Sequence, residues 1–260
     1  MKPDTSIAIV ADFKYLRRYA KKFFIQLKDN GNFHGEIILI TSKITPTFIF
    51  KSIRNNKNIK ILRFKKIKFT SKTKNSLNNL DTGNQPNRNK TKNFQWSKLN
   101  LFREEIKQCR FVFYLDINMS IHSDLNELLK VKPNQKLLAR NDSYPDLVNT
   151  LSTQFDKTHS LYKELEKAFN LETKEYFQTG ILYFDTNIIS KTTYLELINL
   201  VEKYPISITN EQGILNLYFK YIKNNYEELP IKIGKLMTYY YWKLGDQKII
   251  ITKQNREKYK

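Results

Sequence analysis

Apolar residues come in short dense runs, separated by stretches of helical period and by polar segments. SIAIVA (residues 6–11), EIILIT (36–41) and NIKILRF (58–64) have the length and β-branched content of buried strands. Between the first two, Leu16, Tyr19, Ala20, Phe23, Phe24 and Leu27 recur at helical spacing with basic residues among them. Asp29-Asn30-Gly31 ends that helix, and Pro46 opens a short helix through Ile53. Strand, helix, strand, helix, strand is the order that builds a parallel, nucleotide-binding half-sheet.

Residues 65–93 break the pattern. They are basic, rich in Asn and poor in apolar residues after Phe69, and they read as a flexible loop. A helix follows around Trp96, then FVFYL (111–115), apolar throughout as a strand buried on both faces should be. A short helix at DLNELL (124–129) and a strand at KLLAR (136–140) come next, then a helix over 160–170. ILYF (181–184) is a strand entered through Gly180, which permits a close backbone approach. An amphipathic helix over 192–203 and a strand over 248–252 complete the reading. The expected fold is a single α/β domain spanning residues 1–260.

The strand FVFYL ends in Asp116-Ile117-Asn118. Ligands of open α/β sheets sit just beyond the carboxyl ends of strands, and a carboxylate and an amide oxygen placed there can share one hard cation. The same residues also suit a polar turn that caps the next segment.

Length fits one domain with a proper core. No apolar run is long enough to cross a bilayer, and the first residues lack the build of a signal peptide, so a soluble, cytoplasmic protein is expected. The lone Cys109 excludes an internal disulfide, and no zinc-type Cys/His spacing occurs. Glycine motifs of dinucleotide-binding and P-loop proteins are missing. The net charge of +20 comes mostly from Lys, which fits compositional bias or an anionic partner. Lys in place of Arg argues against a reader of nucleic acid, though a Lys-rich nucleic-acid-binding protein remains the third reading.

The run from Trp96 to Leu129, with its W-S-K-L, F-Y-L-D-I-N-M-S-I and D-L-N-E-L-L, resembles the D-x-D region of GT-A glycosyltransferases. It is most similar to the glycogenin-like family 8 enzymes, with Asn118 at the second acid. That resemblance implies a Rossmann-like GT-A domain with a mixed, mostly parallel central sheet flanked by helices. It implies Mn²⁺ or Mg²⁺ held by Asp116 and Asn118 on the diphosphate of a donor, with a UDP-sugar expected. Asp12 and Tyr15 match the acid and tyrosine that face the nucleotide base; a helix cap and a core tyrosine fit them equally well. Lys98 matches a lysine that faces the donor. Gln178, in YFQTGIL, stands where the family has an Asn on the donor sugar. Glu211-Gln212 resembles the start of a D-Q-x-x-L-N segment beside the sugar, ending at Asn216; Asn210 would cap the helix there. No histidine lies beyond His159 to match the family's late metal ligand, which leaves Thr252 or Asp246 near that place.

Sugar transfer requires stabilising the charge that grows on the departing diphosphate, which a divalent ion does as Lewis acid and template. The resemblance implies retention of configuration, with Glu211 and Gln178 nearest the reacting face. An inverting enzyme would need a carboxylate base, for which Asp142 and Asp185 are candidates. The acceptor would be a hydroxyl of a glycan, protein or lipid-linked molecule, anionic if the basic surface meets it. The second reading is a GT-A-like protein that binds nucleotide sugars without transferring them.

Overall fold

Alternation of side chains along the strands puts two apolar faces on one sheet. In the computed structural model, which describes residues 4–50, 58–80, 92–141, 149–243 and 248–257, seven strands form the central sheet. They are β1 (Thr5–Val10), β2 (Ile37–Ser42), β3 (Ile59–Phe64), β4 (Phe111–Leu115), β6 (Leu137–Ala139), β7 (Ile181–Asp185) and β8 (Tyr226–Glu228). The order is β3-β2-β1-β4-β7-β6-β8. The strands β3, β2, β1 and β4 are mutually parallel, β7 runs antiparallel to β4 and β6, and β8 is parallel to β6. This is the mixed, mostly parallel sheet expected from the sequence.

In β4, Phe111, Phe113 and Leu115 face the layer made by helix α1 (Phe13–Asp29), whose Leu16, Ala20, Phe23 and Leu27 are buried there. Val112 and Tyr114 face the opposite layer, with Trp96, Leu99 and Phe102 from the 3₁₀ segment Asn93–Phe102. Burial on both sides is why β4 reads as an unbroken apolar run. Period two also puts residue 116 on the side of Tyr114, away from α1.

Several elements depart from the sequence reading. The helix around Trp96 is a 3₁₀ segment, and the Pro46 helix is a 3₁₀ turn at Thr47–Phe50; residues 51–53 lie outside the described residues. The stretch expected as a loop holds helix α2 (Ser71–Asn78), capped by the Thr70 side chain. Phe69, Leu77 and Leu80 are buried beside Trp96, so three scattered apolar residues anchor a basic segment. Glu202, from helix α5 (Thr193–Lys203), accepts from Thr70 and Thr73 and ties α2 to the body. Residues 81–91 lie outside the described residues. Two further helices, α3 (Asn126–Leu129) and α4 (Tyr162–Phe169), match their expected places.

A second sheet was not expected. It contains β5 (Ser120–Ile121), β9 (Lys232–Ile233), β10 (Leu236–Lys243) and β11 (Ile249–Glu257), in the order β5-β11-β10-β9. Its pairing of Thr252 with Ser120 and Ile251 with Ile121 brings the C-terminal strand against the residues just after β4. This contact sets the site described next.

Candidate active site

Asp116 leaves the carboxyl end of β4 with its backbone N–H held by the Gly180 carbonyl at 2.9 Å. Its side chain is surrounded by donors. Tyr114, two residues earlier on the same face, donates its hydroxyl to Oδ1 at 2.5 Å. The Lys98 ammonium lies 3.1 Å from Oδ1, and the Lys253 ammonium donates to Oδ2. Burial alone would raise the Asp116 carboxyl, but the charges of Lys253 and Lys98 win and hold it well below the usual range. The Tyr114 hydroxyl is pushed up by burial and by the adjacent carboxylate.

Lys98 is itself buried, 6% exposed, and bridges Asp116 to Glu211 at 2.8 Å. Burial opposes its charge, yet the two carboxylates raise its pKa. It also donates to the Thr179 carbonyl at 3.2 Å. Glu211 is 1% exposed and begins α6 (Glu211–Leu215), which continues as a π-helical turn over Asn216–Ile222. Its Oε1 also accepts from the Thr179 hydroxyl at 2.9 Å, while its Oε2 is buried with no hydrogen-bond partner among the described residues. Asn210 precedes α6 at φ 58° and makes no side-chain cap bond, so the cap expected there is not formed.

Gln212 accepts from the Thr179 N–H at 3.1 Å and donates to Gln154 at 2.8 Å. Asn216 accepts from the Phe177 N–H at 2.8 Å and donates to its carbonyl at 2.9 Å, imitating a strand neighbour. These amides fix the backbone on both sides of Gln178, which is partly exposed and accepts from the Tyr239 hydroxyl at 2.8 Å. Gly180 follows; a Cβ there would come 2.5 Å from the tip of Met119 and 3.6 Å from Asp116 Oδ2.

Asp12 and Tyr15 lie at the end of β1. Asp12 caps α1 by accepting from the Tyr15 N–H at 2.8 Å. Tyr15 is half-buried; burial first and Asp116 second raise its hydroxyl pKa, which puts the ring within the field of the central carboxylate. Asp12 also lines a cavity of about 370 Å³ beyond the ends of β1, β2 and β3, with Thr41, Phe64, Ile67, Phe94 and Trp96. The 3₁₀ segment joins the two features: Ser97 and Asn100 line this cavity, and Lys98 turns to Asp116. Of the residues expected at the site, Asp116, Asn118, Lys98, Glu211, Gln212 and Gln178 share one cluster, Tyr15 lies within the field of Asp116, and Asp12 lines the cavity. Asp246 and Asp142 lie outside the described residues. Asp185 is at the far end of β7, holding the Gln135 and Asn187 N–H groups.

The two residues expected as the metal pair are brought together. Asp116 Oδ2 and Asn118 Oδ1 do converge on one cation, but that cation is the Lys253 ammonium, 3.0 Å from Asn118 Oδ1. Among the described residues no three His, Cys, Asp or Glu side chains cluster to hold a metal. Thr252 is fully buried and bonded to His122 at 2.8 Å. A divalent ion ~4 Å from an ammonium meets ~8 kcal/mol of gross repulsion at an effective dielectric of ~20. With Lys253 in this place the donor set does not fit a divalent ion. Lys253 had escaped the sequence reading because its link to Asp116 spans 137 residues and a strand pairing with no motif.

A glycosyl transferase family 8 model matches residues 7–258. No curated protein matches the sequence. Among solved structures, the glycosyltransferase GlyE of Streptococcus pneumoniae TIGR4 superimposes with a TM-score of 0.52 at 19% identity, covering 88% of this chain and 46% of its own. The chain thus spans about half the length of GlyE. A galactosyltransferase, LgtC, solved with donor and acceptor sugar analogs, gives a TM-score of 0.55 at 16% identity, with 89% and 75% covered. Mouse xyloside xylosyltransferase 1 gives 0.52 at 10% identity, with 98% of both chains covered. Among the described residues no helix is long and apolar enough to cross a membrane. With the family model covering nearly the whole chain and a mixed, mostly parallel sheet between helices, this protein belongs to glycosyl transferase family 8 and has the GT-A fold.

Proposed function

We propose that the protein transfers a sugar from a nucleoside-diphosphate sugar, a UDP-sugar in the first instance, to a hydroxyl acceptor. The observation that carries this reading is the join between the cavity at the ends of β1–β3 and the charged cluster at the end of β4. Aromatic and apolar walls from Phe64, Phe94 and Trp96 suit a base, and Asp12 and Thr41 supply polar edges. The diphosphate would then lie toward Lys253, and the sugar toward Gln178 and Gly180.

In the reaction the bond from the sugar C1 to the diphosphate oxygen breaks and its electron pair stays on that oxygen. The acceptor hydroxyl oxygen forms the new bond to C1, and its proton passes to the leaving diphosphate. Lys98 and Tyr114 keep Asp116 ionised and aimed, so the charge map exists before substrate arrives. Gln178 is the candidate for contact with the sugar. Glu211, at 1% exposure, is better suited to positioning Lys98 and Thr179 than to touching the sugar. In this reading transfer is retaining.

The test is thermal melting with UDP, GDP, CDP, ADP and dTDP. UDP should raise the melting temperature most, and Trp96→Ala should remove the preference. Equal effects of all five nucleotides would contradict a uridine site.

A further inference from the structure

We propose that the Lys253 ammonium grips the donor diphosphate, so that donor binding and transfer need no divalent metal. This rests on the donor reading above. Four features support it. First, Lys253 binds the two oxygens that a cation at the end of β4 would use, Asp116 Oδ2 and Asn118 Oδ1. Second, the fold holds it there: Ile250, Ile251 and Thr252 before it are fully buried, and Thr252 pairs with Ser120, two residues after Asn118. Third, the cluster is electrically balanced before a donor arrives and keeps no net negative charge to draw in a divalent ion. Two ammoniums, Lys98 and Lys253, face two carboxylates, Asp116 and Glu211, and Asn118 contributes an uncharged acceptor.

Fourth, the two lysines differ in reach. Lys98 is 7% exposed in its side chain and spends its donors on Asp116, Glu211 and Thr179. Lys253 is 20% exposed and uses two donors on Asp116 and Asn118. An ammonium carries three, which leaves one for a phosphate oxygen. As the bond from C1 to oxygen breaks, the electron pair left on the diphosphate would be met by this ammonium. A full carboxylate at residue 118 would pull Lys253 back and favour a divalent ion. The amide is what makes a monovalent cation sufficient.

The experiment is isothermal titration of UDP into wild type, Lys253→Ala and Lys253→Arg, each with chelator and with Mn²⁺. Wild type should bind equally well in both, within about twofold. In chelator, Lys253→Ala should weaken binding about 10- to 100-fold, the worth of one charge-assisted hydrogen bond. Lys253→Arg should keep most of it. Should the alanine variant fold poorly by circular dichroism, Lys253→Gln tests the same loss of charge at similar length. Wild-type binding that vanishes in chelator and returns with Mn²⁺ would overturn the proposal while the donor reading stands. Unweakened binding by a folded Lys253→Ala would also overturn it. No UDP binding under either condition would overturn the donor reading and the proposal together.

Discussion

At the scale of single residues, the site is governed by Lys98. It joins two carboxylates that the surrounding chain has largely removed from water. A buried ion pair is weak evidence for stability in itself, but removing one partner leaves an uncompensated charge. Lys98→Met should therefore destabilise the fold by about 3–5 kcal/mol in urea denaturation. Adding Glu211→Leu should recover much of that loss; a single substitution costing less than about 1 kcal/mol would show that water or another cation replaces Lys98. Asp116, Lys98 and Glu211 were legible because each sits in a short motif with its own local pattern. Lys253 was not, since nothing around it in ITKQNR marks it as part of a site. Gln178 is partly exposed and Glu211 is 1% exposed, a difference that a sequence motif does not carry.

At the scale of elements, each site residue is placed by a strand end or helix start that a packing contact fixes. Gly213 shows this for α6. A Cβ there would lie 2.8 Å from the Ser207 hydroxyl oxygen and 2.9 Å from the Phe155 ring. That hydroxyl already donates to the Asn210 carbonyl at 2.6 Å, and Phe155 is buried, so neither yields easily. Gly213→Ala should cost about 1–3 kcal/mol, as overpacking does, and shift Glu211 and Gln212 with it. Denaturant unfolding checks the first part, and weakened UDP binding the second. The strands of the half-sheet were legible in full, because burial on both faces writes an unbroken apolar run. Of the second sheet only β11 was legible, as the strand expected over 248–252. Strands β5 and β9 have two residues each, and LMTYYYWK in β10 mixes aromatic and polar positions without clean alternation. Helix α2 was missed because it is held by a cap, by Glu202 and by only a few apolar contacts.

At the scale of the whole molecule, the +20 charge sets behaviour in acid. The carboxyls of Glu172 and Glu196 are held down to about 2. Lys157, Tyr162 and Ser152 do this for Glu172, and Lys223, Thr192 and Tyr218 for Glu196. Each folded value lies below the ordinary 4.5, so its stabilisation is complete above about 4.5 and is lost as pH falls toward about 2. Both side chains are substantially exposed, so each contributes about 1 kcal/mol or less. Melting temperature should fall through that window as positive charge accumulates, and Glu196→Gln with Glu172→Gln should flatten the fall. An unchanged slope in the double variant would assign the acid limb to other groups. In the proposed reaction, cavity and charged cluster together make a donor site for sugar transfer. The most direct test is release of UDP from a panel of UDP-sugars, by wild type and by Asp116→Ala. Wild type should release UDP slowly from at least one UDP-sugar, and the variant should not. No release from any of them by folded wild-type protein, or equal release by the variant, would contradict that reading.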